Sequence, residues 1–528
     1  MARRVLAPTP TVTSNLRGWQ LRALAALADW SEGSFLISAA PGAGKTRPAL
    51  VYADELMRRR DTRQIVVVCP TAPLTRQWAT AAGALGVHLV PDAKEPRPPR
   101  DFHGVCITYA RIAADPRRWA RGIDASTLLI ADEAHHLGEE LTWGEAFSTA
   151  RGRATRVLML SGTPFRSDAS PIPGVRYDRD GVAIPDIAYT YGEAVHDGVC
   201  RPVAFVTYDG TLSWRSGGDV IESSFDTVLS SREAGRRYRT AISTELPDGL
   251  PRILREANER LGGLRSGGHR DAAGLVVAAD GTHARRVAAL LREVTGRPPV
   301  VVLHTEARSS ERLTGFARSR DPWIVAVNMV SEGVDIPRLR VGVYASAAKT
   351  PLVFRQIVGR FVRTIPGRPP EASWLYLPAD PVLRRHAGDV EGELRHVPRV
   401  DAEELLDDPT ERRRSEPSEA MDFVPLSADV APQMTLFGPA PTAAPARGQR
   451  APGAVEDPAP LAAFERRALL RDKRHRLVAD VCRRERRSHR EINAWLNQAV
   501  GVTRVDDASL EQLERSIKLL LRRLGARS

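Results

Sequence analysis

The sequence predicts an α/β protein: two doubly wound parallel-sheet lobes, then a flexible Pro/Ala-rich linker and a small basic α-helical C-terminal module. Three observations carry that expectation. Short apolar runs alternate with helical patterns over the first 400 residues, in two separate sets. Prolines then crowd one stretch, with ten between Pro409 and Pro460. Basic residues crowd the stretch after it.

The first set of runs is Ser34–Ser38, Gln64–Cys69, Gly104–Thr108, Thr127–Ala131 and Arg156–Leu160. The second is Gly274–Ala278, Pro299–Leu303, Trp323–Val327, Arg340–Tyr344 and Ser373–Leu377. Each is continuously apolar and followed by turn residues, as expected of strands covered on both faces. Strand–helix alternation in two blocks implies two doubly wound lobes. The expected divisions are residues 1–205 and 206–402 for the lobes, 403–460 for a disordered linker and 461–528 for the basic helical module. In that module Leu461–Arg487, His489–Val500 and Leu510–Leu524 read as helices, the last opened by the capping pair Ser509 and Gln512.

Composition narrows the function classes. The chain has 528 residues, 42% hydrophobic and 27% charged, which excludes a fibrous or wholly disordered protein. No run approaches the ~18 apolar residues of a membrane span. Residues 1–10 lack the apolar core of a secretory signal. Cys69, Cys106, Cys200 and Cys482 lie far apart, which argues against a zinc module or disulfide framework and for a reducing cytoplasm. The net charge is +12, and residues 461–528 hold 17 basic against 9 acidic residues. So local a surplus points to a polyanion partner.

Two motifs in the first lobe carry chemistry. The run Ser34–Ser38 leads into Ala39-Ala40-Pro41-Gly42-Ala43-Gly44-Lys45-Thr46. Glycines after a strand let the backbone wrap around phosphates; Lys45 then meets the β and γ phosphates and Thr46 holds Mg²⁺. Thr127–Ala131 delivers Asp132 and Glu133 at its end, followed by Ala134 and His135. One carboxylate can hold Mg²⁺ and the other can accept a proton from an attacking water. His135 and His136 have no Cys or His partner at ligand spacing, so they do not suggest a metal site.

Asp132-Glu133-Ala134-His135 resembles the DEAH box of superfamily 2 helicases, and the Gly-rich loop resembles their motif I. Other motifs follow in order. Leu16-Arg17-Gly18-Trp19-Gln20 resembles the upstream glutamine motif that reads adenine, which assigns Arg17 and Gln20, with Pro41, Gly42, Ala43 and Gly44, to ATP. Pro70–Trp78 resembles motif Ia and Thr108-Tyr109 motif Ib. Ser161-Gly162-Thr163-Pro164 resembles motif III, implying that Ser161 and Thr163, with His135, couple hydrolysis to lobe movement. Gly333-Val334-Asp335 resembles motif V, assigning Gly333 and Asp335 to the nucleotide. Gln356-Ile357-Val358-Gly359-Arg360-Phe361-Val362-Arg363 resembles motif VI, with Gln356 coupling and Arg360 and Arg363 catalytic. The resemblance covers roughly residues 15–380. It implies RecA-like lobes, ATP and Mg²⁺ as cofactors, and a nucleic acid track, DNA favoured over RNA. Within the superfamily, the excision-repair translocases and type III restriction motors fit better than the DEAD-box branch.

The physical need for motif VI is charge. The γ-phosphoryl group accumulates negative charge in the transition state, and arginines from a second lobe can stabilise it. Arg360 and Arg363, three apart, share a face if both lie on one helix. Trp78 and Trp143 could stack on bases, but packing is the commoner use of tryptophan in such lobes. Gln433-Met434-Thr435-Leu436-Phe437, inside the expected linker, resembles a peptide that docks on the bacterial replication sliding clamp through Gln433, Leu436 and Phe437. The alternative is that this segment packs back on the lobes. Two other functions stay open: a motor subunit of a restriction or defence complex, and a non-enzymatic nucleic-acid scaffold.

Overall fold

The computed structural model describes residues 16–139, 141–162, 171–179, 183–216, 219–303, 306, 308–327, 335–365, 367–368, 371–395, 423–434 and 462–524. The chain forms two compact units. The first gathers residues up to Ala39, Gly44–Ala188 and Arg447–Ser528; the second gathers Ala40–Ala43 and Tyr189–Ala446.

The first unit is built on a seven-stranded sheet. Its strands are β1 (Gly33–Ala39), β2 (Gln64–Cys69), β3 (Leu89–Val90), β4 (Gly104–Thr108), β5 (Thr127–Asp132), β6 (Arg156–Ser161) and β9 (Ile187–Tyr189). A separate antiparallel pair is formed by β7 (Arg176–Tyr177) and β8 (Ala183–Ile184). The spatial order is β3-β4-β2-β5-β6-β1-β9, and the pairs from β3 to β1 are parallel. All five expected strands are present. They are apolar throughout because helices cover both faces: Leu36, Val66, Ile107, Leu129 and Met159 are buried in one core. Parallel strands point the same way, so the C-terminal ends of β5, β6 and β1 lie side by side. That edge is where open α/β sheets bind ligands.

The second unit carries an eight-stranded sheet of β10 (Val203–Ser216), β11 (Asp219–Ser223), β12 (Ala273–Ala278), β13 (Val300–Val302), β14 (Trp323–Val327), β15 (Leu339–Ala345), β16 (Ser373–Pro378) and β17 (Phe423–Met434). Its parallel body, β16-β15-β12-β14-β13, contains the five expected strands. Trp323 packs, as expected: its ring lies against Gly274, where a Cβ would meet it at 2.3 Å, and its Nε1 donates to Asn258 Oδ1 at 3.0 Å.

Three boundaries differ from expectation. The change of unit falls at Tyr189 rather than 206, because β10 already pairs with β16 from Val203 onward. β10 and β11 were not anticipated; Asp209 and Gly210 interrupt the apolar run in mid-strand and read as a turn. Third, part of the expected linker is strand β17, antiparallel to β10 from Val206↔Met434 to Ser216↔Phe423. Ala428 and Val430 are buried and Ser427 and Asp429 exposed, a period of two. Pro425 and Pro432 are tolerated because an edge strand need not donate on both sides.

The tail helices Ala463–Glu485, His489–Val500 and Leu510–Arg523 match the expected three. Ser509 and Gln512 form the capping box. Val478, Val481, Cys482, Ile492, Leu496 and Leu520 make their shared core. The module is not free-standing: it is part of the first unit. Leu510 N donates to Asp101 Oδ2 at 2.8 Å, Arg504 pairs with Glu95 at 3.2 Å and Arg467 lies over the Phe102 ring at 5.5 Å. Among the described residues, no helix is long and apolar enough to cross a membrane.

Candidate nucleotide site

The Gly-rich loop leaves the end of β1 and enters the helix Thr46–Arg59. Gly42 and Gly44 take φ of 81° and 85°, which glycine adopts without strain. Lys45 Nζ donates to Ala39 O at 3.2 Å and lies 3.6 Å from Glu133 Oε1. Gln20 Nε2 donates to Gly44 O at 3.0 Å, and Arg17 N donates to Gln20 Oε1 at 2.9 Å. The glutamine motif thus reaches the loop through the start of its own helix, Gly18–Asp29.

Asp132 ends β5. Glu133 follows in the left-handed region, φ 48°, a conformation that costs energy for a side-chain-bearing residue. The turn continues as Ala134 N donates to Leu160 O at 3.0 Å. His135 Nδ1 meets Ser161 Oγ at 2.9 Å, and the same nitrogen lies 3.5 Å from Glu133 Oε2. The DEAH turn is therefore bonded directly to the end of β6. Thr163 lies outside the described residues. His136 stacks near His135 at 4.4 Å and near Trp143 at 6.3 Å. Among the described residues, no group of three or more His, Cys, Asp or Glu is arranged to hold a metal ion by itself.

The two carboxyls are driven apart. Burial pushes the Asp132 carboxyl up, and the adjacent Glu133 charge pushes it the same way. Burial acts on Glu133 too, but Lys45, His135 and His136 outweigh it and hold Glu133 well below the usual carboxylate range. Glu133 is thus an ionised acceptor. Asp132 is a carboxylate whose buried charge a cation would relieve, so its chemistry and that of the Thr46 hydroxyl fit Mg²⁺.

Two residues not singled out for this role hold Asp132. Trp78 Nε1 donates to its Oδ2 at 2.7 Å, and Tyr109 OH donates to its backbone O at 2.8 Å. Trp143 stacks on Tyr109 at 5.7 Å, so both tryptophans pack. The missed signal was polar: a buried indole N–H needs an acceptor.

In the second unit, Thr350 caps the helix Pro351–Phe361, which bears Gln356 and Arg360. Arg363 lies beyond the helix end and does not share a helical face with Arg360. Val362 is the C-cap, Arg201 N donates to Val362 O, and Arg363 forms a bridge with Cys200. These contacts pull the chain into an extended path. Arg363 Nη1 pairs with Asp335 Oδ2 at 3.2 Å. Gly333 lies outside the described residues. Also within this unit, a Cβ on Gly42 would sit 3.0 Å from Arg363 Cδ, and Cys200 Sγ lies 3.3 Å from Pro41 O. Gln433 is held in β17 opposite Thr207, so the free tether expected for clamp docking is a sheet strand at that residue; Leu436 and Phe437 lie outside the described residues.

Residues 13–166 match the family model "Type III restriction enzyme, res subunit". The chain belongs to the superfamily 2 helicases, a family that works with ATP and Mg²⁺. Its sequence relatives include the uncharacterized protein Rv2917 of Mycobacterium tuberculosis, 43% identical over 449 residues, 82% of this chain and 74% of that protein. The uncharacterized protein ML1624 of Mycobacterium leprae is 36% identical over 540 residues, 99% of this chain and 89% of that protein. Among solved structures, a fragment of a putative HsdR subunit of a type I restriction enzyme from Vibrio vulnificus aligns with a TM-score of 0.48 and 17% identity, over 70% of this chain and 65% of that one. The Type ISP restriction-modification enzyme LlaBIII aligns with a TM-score of 0.44 and 16% identity, over 71% of this chain and 28% of that one. This chain spans less than two thirds of each of those two structures.

Proposed function

We propose that this protein is an ATP-driven translocase or helicase acting on DNA, in a cytoplasmic setting. The observation that carries the reading is the convergence of Lys45, Asp132, Glu133 and the His135–Ser161 pair at neighbouring strand ends of one sheet. Loop amides and Lys45 bind the phosphates, and Glu133 takes the proton of the attacking water. Lys45 rests against Glu133 and Ala39 O, so nucleotide phosphates compete for its ammonium. Mg²⁺, held by Thr46 and Asp132, would neutralise charge developing on the phosphates. The resemblance to motif VI gives Arg360 and Arg363 the role of stabilising transition-state charge. The His135–Ser161 bond carries the change at Glu133 to β6. Lys45→Ala and Glu133→Gln should each lower turnover by about 10²–10⁴-fold and leave nucleic acid binding intact. Normal turnover in either protein contradicts the assignment.

The track is nucleic acid, gripped mainly through phosphates, so binding should weaken steeply with salt. The tail supports this: Arg486, Arg487 and Arg490 are exposed around the turn between its first two helices. Replacing all three by glutamate, away from the Arg467, Arg504 and Leu510 contacts, should lower affinity and flatten the salt slope. An unchanged slope removes the tail from the track. A sliding clamp is left out of this reading, because Gln433 is committed to β17.

A second reading is the motor subunit of a restriction or defence complex. It is favoured by the match of residues 13–166 to the type III restriction res subunit. Stimulation of the ATPase only with a partner subunit present would select it.

A further inference from the structure

Trp78 is 1% exposed and Asp132 7%, and their side chains meet at 2.7 Å. The helix Ala72–Gly83 buries Thr75, Trp78, Ala79 and Ala82, spaced three, four and seven apart, so one face packs inward. On that face Trp78 has an apolar body and one polar atom. That atom is aimed at a carboxylate at the end of β5, Asp132, rather than at a backbone carbonyl or solvent. Asp132 Oδ1 meanwhile accepts from Glu133 N at 3.1 Å. Among the described residues each oxygen accepts one hydrogen bond, which fixes the plane of the carboxylate, and a carboxylate oxygen so bonded has a second lone pair for another ligand.

We infer that Trp78 is a positioning residue: its indole N–H sets the orientation in which Asp132 meets the divalent cation of the bound nucleotide. The inference rests on the nucleotide-site reading of Asp132. A hydrogen bond to a metal-binding carboxylate fixes its geometry, and losing such a partner weakens metal affinity by about 10–100-fold. A residue that only fills space would not discriminate between metal-bound and metal-free nucleotide.

The test uses the full chain, with Mn²⁺ and ADP as probes and free Mn²⁺ read by electron paramagnetic resonance. Trp78→Phe should weaken Mn²⁺ binding in the ADP complex by about tenfold, with the affinity for metal-free ADP unchanged. In an Asp132→Ala background the same change should have no further effect. If the phenylalanine protein does not fold, 3-benzothienylalanine at position 78 keeps the bicyclic ring and lacks the N–H; it should give the same loss. Mn²⁺ affinity within twofold of wild type, in either folded protein, overturns the role of Trp78 while the nucleotide site stands. A wild-type protein that binds no Mn²⁺ with ADP overturns both.

Discussion

The two sheets of this protein differ in how they are finished. The first carries its chemistry at the ends of β1, β5 and β6, next to one another through parallel order. The second has a similar parallel body but extends through β10, a 14-residue strand that β11 and β17 join antiparallel. The difference teaches that function and stability are spread unevenly along the chain. Short-range motifs at strand ends build the proposed nucleotide site. A segment far along the chain, Phe423–Met434, completes the second sheet.

The largest expected effect falls on the first sheet alone. Glu133→Gln should abolish nearly all turnover with little change in melting temperature, because the glutamine keeps the side chain's size and can still bond. A large fall in melting temperature would show that Glu133 holds the turn together, and would blur the distinction between the sheets.

The next effect falls on the second sheet. Val430 is 1% exposed in β17, and Val430→Asp buries a charge with no partner there. It should cost about 3 kcal/mol or more, read as a lower urea midpoint. An unchanged midpoint would mean that β17 is not part of the folded sheet.

The smallest effect is a pH slope in the second unit. Burial lowers the pKa of His269 to about 4, with Arg368 and Arg340 adding to it; Arg340 Nη1 donates to Nδ1 at 2.9 Å, which requires a neutral ring. The unfolded chain takes up a proton that the folded chain refuses. Stability should therefore fall as pH drops from about 6.5 toward 4, by at most about 1.4 kcal/mol per pH unit. His269→Gln should flatten that slope. An equal slope in the variant would assign the effect elsewhere.

Legibility followed the range of the interactions. Ten strands were readable because a strand covered on both faces is apolar throughout, and β5 or β12 needs no partner to be seen. The loop at Lys45 and the turn at Asp132 were readable because each is a short motif with fixed residues at fixed spacing next to an apolar strand. β10 was hidden by Asp209 and Gly210, which mimic a turn: Gly210 N bonds Asp209 Oδ1 at 2.8 Å within the strand. β17 was hidden by Pro425 and Pro432, whose meaning depends on lying at an edge. Trp78 was visible as a residue but not as a donor, because its acceptor lies 54 positions away. The exit of Arg363 from its helix depends on Cys200 and Arg201, which are still farther away in sequence.

The most direct measurement is steady-state ATP hydrolysis by the full chain, alone and with single-stranded DNA, duplex DNA and RNA, beside Lys45→Ala. A nucleic acid motor predicts strong stimulation by DNA and near-complete loss in the variant. Hydrolysis that no polymer stimulates, or that survives Lys45→Ala, would contradict it.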